Sequence, residues 1–159
     1  MSTKKLIVIL ILALLLFNLT GCINQEITDE DLIENLIDTW VEGYKEKDLD
    51  KYIGVYYPSL IVEEQDGEEN TLETYDYVEK YSRIQDIFDA DTSISAVTNA
   101  VNVVVSGLVA TATFFVDYEI TSTINDIEST EKWSEYIVWT VDKGWGSWSV
   151  NYEVFKELL

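Results

Sequence analysis

Few side chains in this sequence can do covalent or acid–base chemistry. Among 159 residues there is no histidine and one cysteine, Cys22, against 30 acids and 10 bases. A Ser-His-Asp set, a Cys-His pair and the nitrogen ligands of a zinc centre are all excluded. Carboxylate and phenol chemistry remain. Acids concentrate in VEEQDGEEN, where five of the eight residues from Glu63 to Asn70 are acidic: Glu63, Glu64, Asp66, Glu68 and Glu69. They suit either proton transfer in a pocket or a solvated hairpin turned at Asp66-Gly67. Calcium asks for several oxygen ligands, and the stretch lacks the DxDxDG order of a calcium loop, so neither a metal nor a cofactor is expected. The aromatic load is heavy, with 5 Trp, 10 Tyr and 5 Phe. Tyr44, Tyr52, Tyr56, Trp133 and Trp139 are candidates for a pocket suited to an apolar or sugar ligand, and their spacing equally suits plain core packing.

The thiol has its own context. Lys4 and Lys5 precede an apolar run from Leu6 to Leu19, interrupted only by Asn18. The run falls short of the roughly 20 residues of a membrane-spanning helix, which favours a signal peptide. Leu19-Thr20-Gly21-Cys22 resembles the lipobox of prokaryotic lipoproteins. That resemblance implies cleavage between Gly21 and Cys22 and a diacylglyceryl thioether on Cys22, two chains sufficing for stable anchoring. The expected organisation is a signal peptide over 1–21, a lipidated tether over 22–28 and one domain over 29–159, held at the membrane outside the cytoplasm.

A net charge of −20 argues against nucleic acid and against lying flat on anionic lipid. Removing residues 1–21 takes away two lysines and no acid, so the mature domain is more acidic still. With no second cysteine the domain has no internal disulfide, and packing alone must hold it.

The elements follow from periodicity. Thr28 and Asp31 have capping-box spacing, and Ile33, Ile37, Val41 with Leu32, Leu36, Trp40 and Tyr44 make one apolar helical face. Asp48 caps a second helix bearing Leu49, Tyr52, Ile53 and Tyr56, closed by Pro58. Leu60–Val62 reads as a short strand, and Tyr77, Tyr81, Ile84 and Phe88 predict a third helix from Tyr75. From Ser93 the period becomes two. Val97, Val101, Val103 and Val105 share a face, then Ala110, Ala112, Phe114, Val116 and Tyr118. Trp133, Ile137, Trp139 and Val141 follow, and last Trp148, Val150, Tyr152 and Val154, with a turn at Asn125-Asp126. Trp145 and Trp148 flank the turn of the final hairpin. Helices first and a meander after them give an α+β class.

Three stretches carry a further resemblance: WVEGYKEKDLDKYIGVYYPSLIVEEQDG, VVVSGLVATATFFVDYEI and YIVWTVDKGWGSWSVNYEVF. In type and order they resemble the nuclear-transport-factor-2-like superfamily, which includes ketosteroid isomerases and polyketide cyclases. The resemblance implies a cone of three N-terminal helices packed on a curved antiparallel sheet. In its isomerase members an acid after the first strand removes a proton α to a carbonyl while a tyrosine and a second, protonated acid stabilise the enolate. Carried over, the base falls at Glu63 or Glu64, the donor at Tyr44 and the second acid at Asp117 or Glu135. The same fold hosts binders and structural modules. The expectation is therefore a non-catalytic domain binding a small ligand or a partner protein, a homodimer through the sheet being one form of the latter. A proton-transfer enzyme using Glu64 and Tyr44 is the alternative.

Cys22→Ser is expected to free the protein from the membrane fraction or to leave it uncleaved at higher mass. Fractionation and mass spectrometry check this; a variant still cleaved before residue 22 and still membrane-bound would remove the anchor.

Overall fold

A computed structural model describes residues 27–158 apart from Gly67, Asp91, Asn125, Asp126 and Trp145, and apart from the side chains of Ile124 and Glu157. The expected signal peptide, Cys22, most of the expected tether, the expected Asn125-Asp126 turn and Trp145 lie outside the described residues.

Helix α1 (Asp29–Glu46) starts on the expected capping box: the Asp31 N–H donates to Thr28 Oγ1 at 3.1 Å, and the Thr28 N–H to Asp31 Oδ2 at 2.9 Å. Ile33, Ile37, Trp40, Val41 and Tyr44 are buried, whereas Leu32 is exposed. Its first turn is stapled to the far end of the chain. Asp29 accepts from Lys143 Nζ at 2.5 Å and from the Trp148 indole N–H at 3.0 Å. Lys47 ends the helix in the left-handed region, at φ 54°. Helix α2 (Leu49–Ile53) is capped by Asp48 as expected.

Here the chain departs from the sequence pattern. Tyr56 opens strand β1 (Tyr56–Gln65) instead of closing α2, and Pro58 lies inside that strand. Pro58 is tolerated because the ladder to the neighbouring strand is interrupted between Tyr56 and Ile61, so no N–H is needed there. Thr71–Asp76 forms strand β2 rather than the start of a helix, pairing Val62 with Tyr75 and Glu64 with Glu73. Helix α3 (Tyr77–Asp89) then begins at its cap, Asp76, whose carboxylate accepts the Glu79 N–H at 3.0 Å.

Strands β3 (Thr92–Ser106), β4 (Val109–Ile124), β5 (Ile127–Gly144) and β6 (Ser147–Leu158) form the meander. The six-stranded sheet runs β2-β1-β6-β5-β4-β3. It is mixed, not wholly antiparallel: β1 runs parallel to β6. The meander fixes the direction of β6, and β1 reaches that edge through a long connection with no hairpin to reverse it.

Two bulges reset the alternation. In β3 the register shifts between Asn99 and Asn102, with Ala100 at φ 51°. Ile94, Ala96, Val103 and Val105 therefore pack inward, while Val97 and Val101 are exposed. In β6, Val150 pairs with Val141 but Tyr152 with Thr140, so Asn151 is the extra residue. Tyr152 and Val154, expected inside, turn to the outer face, and Glu153 and Phe155 turn in. Trp40 and Phe114 meet as their inward positions require, with ring centroids 6.0 Å apart.

The α1–α2 crossing depends on Gly43. A Cβ there would lie 2.6 Å from the Tyr52 backbone N and 2.9 Å from its Cα. Gly43→Ala gains about 1 kcal/mol of helix propensity but overpacks at a typical cost of about 1–3 kcal/mol. Net destabilisation in denaturant unfolding is expected; a more stable variant would refute the close approach.

Candidate functional site

A cavity of about 180 Å³ lies between the helices and the concave face of the sheet. Helix α1 supplies Trp40 and Tyr44 to its wall, α2 Tyr52, α3 Lys80 and Arg83, and β4 Tyr118. The inward face of β5 supplies Trp133, Glu135 and Ile137, and that of β6 Glu153 and Phe155.

Glu153 is 1% exposed. Its Oε1 accepts from the Tyr56 hydroxyl at 3.0 Å and from the Trp139 indole N–H at 2.9 Å, and its Oε2 from Lys80 Nζ at 2.5 Å. The Lys80 ammonium also stands 4.9 Å from the centroid of Tyr56 and 5.7 Å from that of Tyr52, an attractive placement for a cation. A buried pair is tolerable only when its remaining polar capacity is met; here Tyr56 and Trp139 serve the carboxylate, and ring faces surround the ammonium. Arg83 is neutralised likewise by Glu73 at 2.6 Å and Glu79 at 2.5 Å.

Glu135 is different. It is partly buried and, among the described residues, accepts one hydrogen bond, from the Trp133 indole N–H at 3.0 Å, with the neutral Tyr118 hydroxyl as its other polar neighbour. Burial raises its carboxyl above the usual range and outweighs the influence of Trp133 and Tyr118, which pull the other way. The folded chain thus holds this proton more tightly than the unfolded chain, so ionising Glu135 costs stability as pH rises above the ordinary carboxylate range. Burial also raises the phenols of Tyr44, Tyr52 and Tyr118, which remain neutral hydroxyls at physiological pH.

Of the pocket residues expected from sequence, Tyr44, Tyr52 and Trp133 line the cavity together. Tyr56 and Trp139 stand behind the wall as donors to Glu153. Glu64 does not line the cavity; it sits near the end of β1 opposite Glu73 and Phe155. Glu63 faces the other side of the sheet. Thr71 at 2.5 Å, Tyr152 and Gln65 at 2.8 Å all donate to it, holding its carboxyl down to about 2. Asp66 accepts the N–H groups of Glu68 and Asn70 and so organises the β1–β2 turn. Among the described residues no group of three or more acids or thiols is arranged to hold a metal ion. Of the two candidates for a second acid, Glu135 is in the cavity, while Asp117 bonds Asn99 at 2.8 Å and Ser134 at 2.5 Å.

Glu153 and Lys80 escape a reading by alternation. The Asn151 bulge hides the first, and Lys80 lies one helical turn from Ile84 on a face that reads as apolar. Glu135 was legible, since it shares parity with Trp133, Ile137 and Trp139.

No family model matches the sequence, and no curated protein matches it. Solved structures do. An NTF2-like protein of unknown function from Pseudomonas putida KT2440 is 15% identical, over 80% of this chain and 84% of that one, with a TM-score of 0.63. The beta subunit of benzoate 1,2-dioxygenase from Burkholderia mallei is 13% identical, over 84% and 93%, at 0.68. A conserved protein from Planctomyces limnophilus is 11% identical, over 82% and 96%, at 0.70. The chain has the NTF2-like α+β fold, with a curved mixed sheet. At this identity the likeness is one of fold alone.

Glu153→Gln keeps an acceptor for Tyr56 and Trp139 but faces Lys80 with an amide. It is expected to cost about 3–5 kcal/mol in denaturant unfolding, as loss of one partner of a buried pair does. Adding Lys80→Met should recover much of that loss. A double variant no more stable than the single would show that the pair does not act as a unit.

Proposed function

We propose that this chain is a lipoprotein, anchored through Cys22 outside the cytoplasm, whose cone binds a small ligand without transforming it. The aromatic cavity with Glu135 in its wall carries this reading. Its volume of about 180 Å³ lies below the roughly 300–1,000 Å³ of drug-sized sites, and equals the space of about six water molecules. The guest is therefore small. The wall is mostly aromatic, with neutral tyrosine hydroxyls to orient a polar group. Trp40, whose side chain is part of the wall, keeps its indole N–H buried without an acceptor among the described residues, so its NMR signal reports on the packing around the cavity.

One observation favours a second reading, proton transfer. A carboxyl raised by burial beside a tyrosine is the arrangement of a general base with its hydrogen-bond donor. In that reading Glu135 replaces Glu64 as the base, and Tyr44 or Tyr118 is the donor. Glu153 does not compete for the role, because three donors already saturate it.

The two readings separate in one NMR experiment on the mature domain with a panel of small organic compounds. The expected result is shifts at the Trp40 and Trp133 indole N–H signals, with no solvent deuterium entering the α-position of small ketones. Deuterium exchange that disappears in Glu135→Gln would establish the enzyme instead. Shifts confined to the outer sheet face would dismiss the cavity as the site.

A further inference from the structure

We infer that the guest of this cavity is a small organic cation, a primary or methylated alkylammonium held by Glu135 against the rings of Tyr44, Tyr118 and Trp133. The inference rests on the ligand-binding reading above and names the chemical class. Three observations carry it, beginning with a balance of charge. Of the charged side chains lining the cavity, Lys80 is neutralised by Glu153, and Arg83 by Glu73 and Glu79. Among the described residues only the Glu135 carboxylate of this wall has no cation within ion-pair distance, its hydrogen bond coming from the Trp133 indole N–H.

The second observation is that the cavity already contains one such arrangement, filled. Below, a carboxylate (Glu153) and the rings of Tyr52, Tyr56 and Phe155 surround the ammonium of Lys80. Beside Glu135 the same components recur without the ammonium. Tyr118 stacks on Trp133 with centroids 5.0 Å apart, and Tyr44 meets Tyr118 edge-on at 5.5 Å. Ring faces attract cations most where water is scarce, and a carboxylate at the same point adds the charge partner. An anion would meet an uncompensated carboxylate here, and a neutral guest would leave it unpaired.

The third is access. Trp133 and Glu135 line both the cavity and an adjoining surface groove with Glu131 and Lys132, and Lys132 is paired with Glu119 at 2.7 Å. The approach thus keeps acidic character, and a chain of net charge −20 concentrates cations around itself.

The test is calorimetric titration of the mature domain with choline against its uncharged carbon isostere neohexanol, and with butylamine against butyrate. The cations are expected to bind about tenfold or more tightly than their partners, and Glu135→Gln to abolish that preference while keeping the parent far-UV spectrum. Trp133→Leu should weaken the cations and leave neohexanol within about twofold. Equal binding of charged and uncharged guests, or a preference that survives Glu135→Gln, overturns the cation assignment and leaves the cavity as a ligand site. Absence of binding by all four compounds overturns both.

Discussion

The Glu153 carboxylate gathers donors from three separate elements, and the helical layer is tied to the sheet through it. Lys80 comes from α3, Tyr56 from the start of β1 and Trp139 from the middle of β5. A buried carboxylate is unfavourable alone, so the folded core requires every one of these donors in place. Satisfying it fixes α3 over β6 and seats the parallel β1–β6 pair. The rings around Lys80 then have one arrangement. The cavity is what remains above this cluster.

The two β-bulges do different work with the same device. In β3 the bulge sends Val97 and Val101 out and brings Val103 and Val105 in, which trades one apolar set for another. In β6 it exchanges Tyr152 and Val154 for Glu153 and Phe155, which changes the chemistry of the interior. A single added residue, Asn151, thereby decides whether the concave face carries a buried ion pair or continues as aliphatic core.

This distinction explains what could be read in the sequence. Helix α1, its capping box and the order of the last four strands are set by local periodicity, and they stand as expected. The inward residues Trp40, Phe114 and Trp139 follow from the same counting. Strand β2 was missed because the helix marked by Tyr77, Tyr81, Ile84 and Phe88 was extended back to Tyr75, which lies out of step with them, while the pairing to β1 that claims Tyr75 is a long-range fact. Glu135 and Asp117 were both named by the family resemblance, and alternation alone separates them: Glu135 shares the inward parity of Trp133 and Ile137, while Asp117 points out between Val116 and Tyr118. Glu153 could not be found by alternation, since the residue that reverses the count looks like any other polar residue. Family resemblance pointed to acids after the first strand, and there the local hydrogen bonds of Glu63 and Asp66 hold them in turn and sheet structure.

The Asp29 staple has a geometric consequence. It fastens the beginning of the domain to Lys143 and Trp148, at the end of the sheet where β5 turns into β6. Helix α1 then rises about 27 Å over its 18 residues toward Tyr44, and β5 covers a similar span from Lys143 back to Glu135. The opening beside Trp133 and Glu135 is thus at the opposite pole from the point where the polypeptide leaves the fold. With Cys22 as the proposed anchor, the seven residues from Cys22 to Thr28 would span at most about 25 Å, which keeps the start of α1 near the membrane. Under the anchoring proposed above, the mouth would face the medium, and a guest would arrive by diffusion through water rather than by lateral passage out of the bilayer.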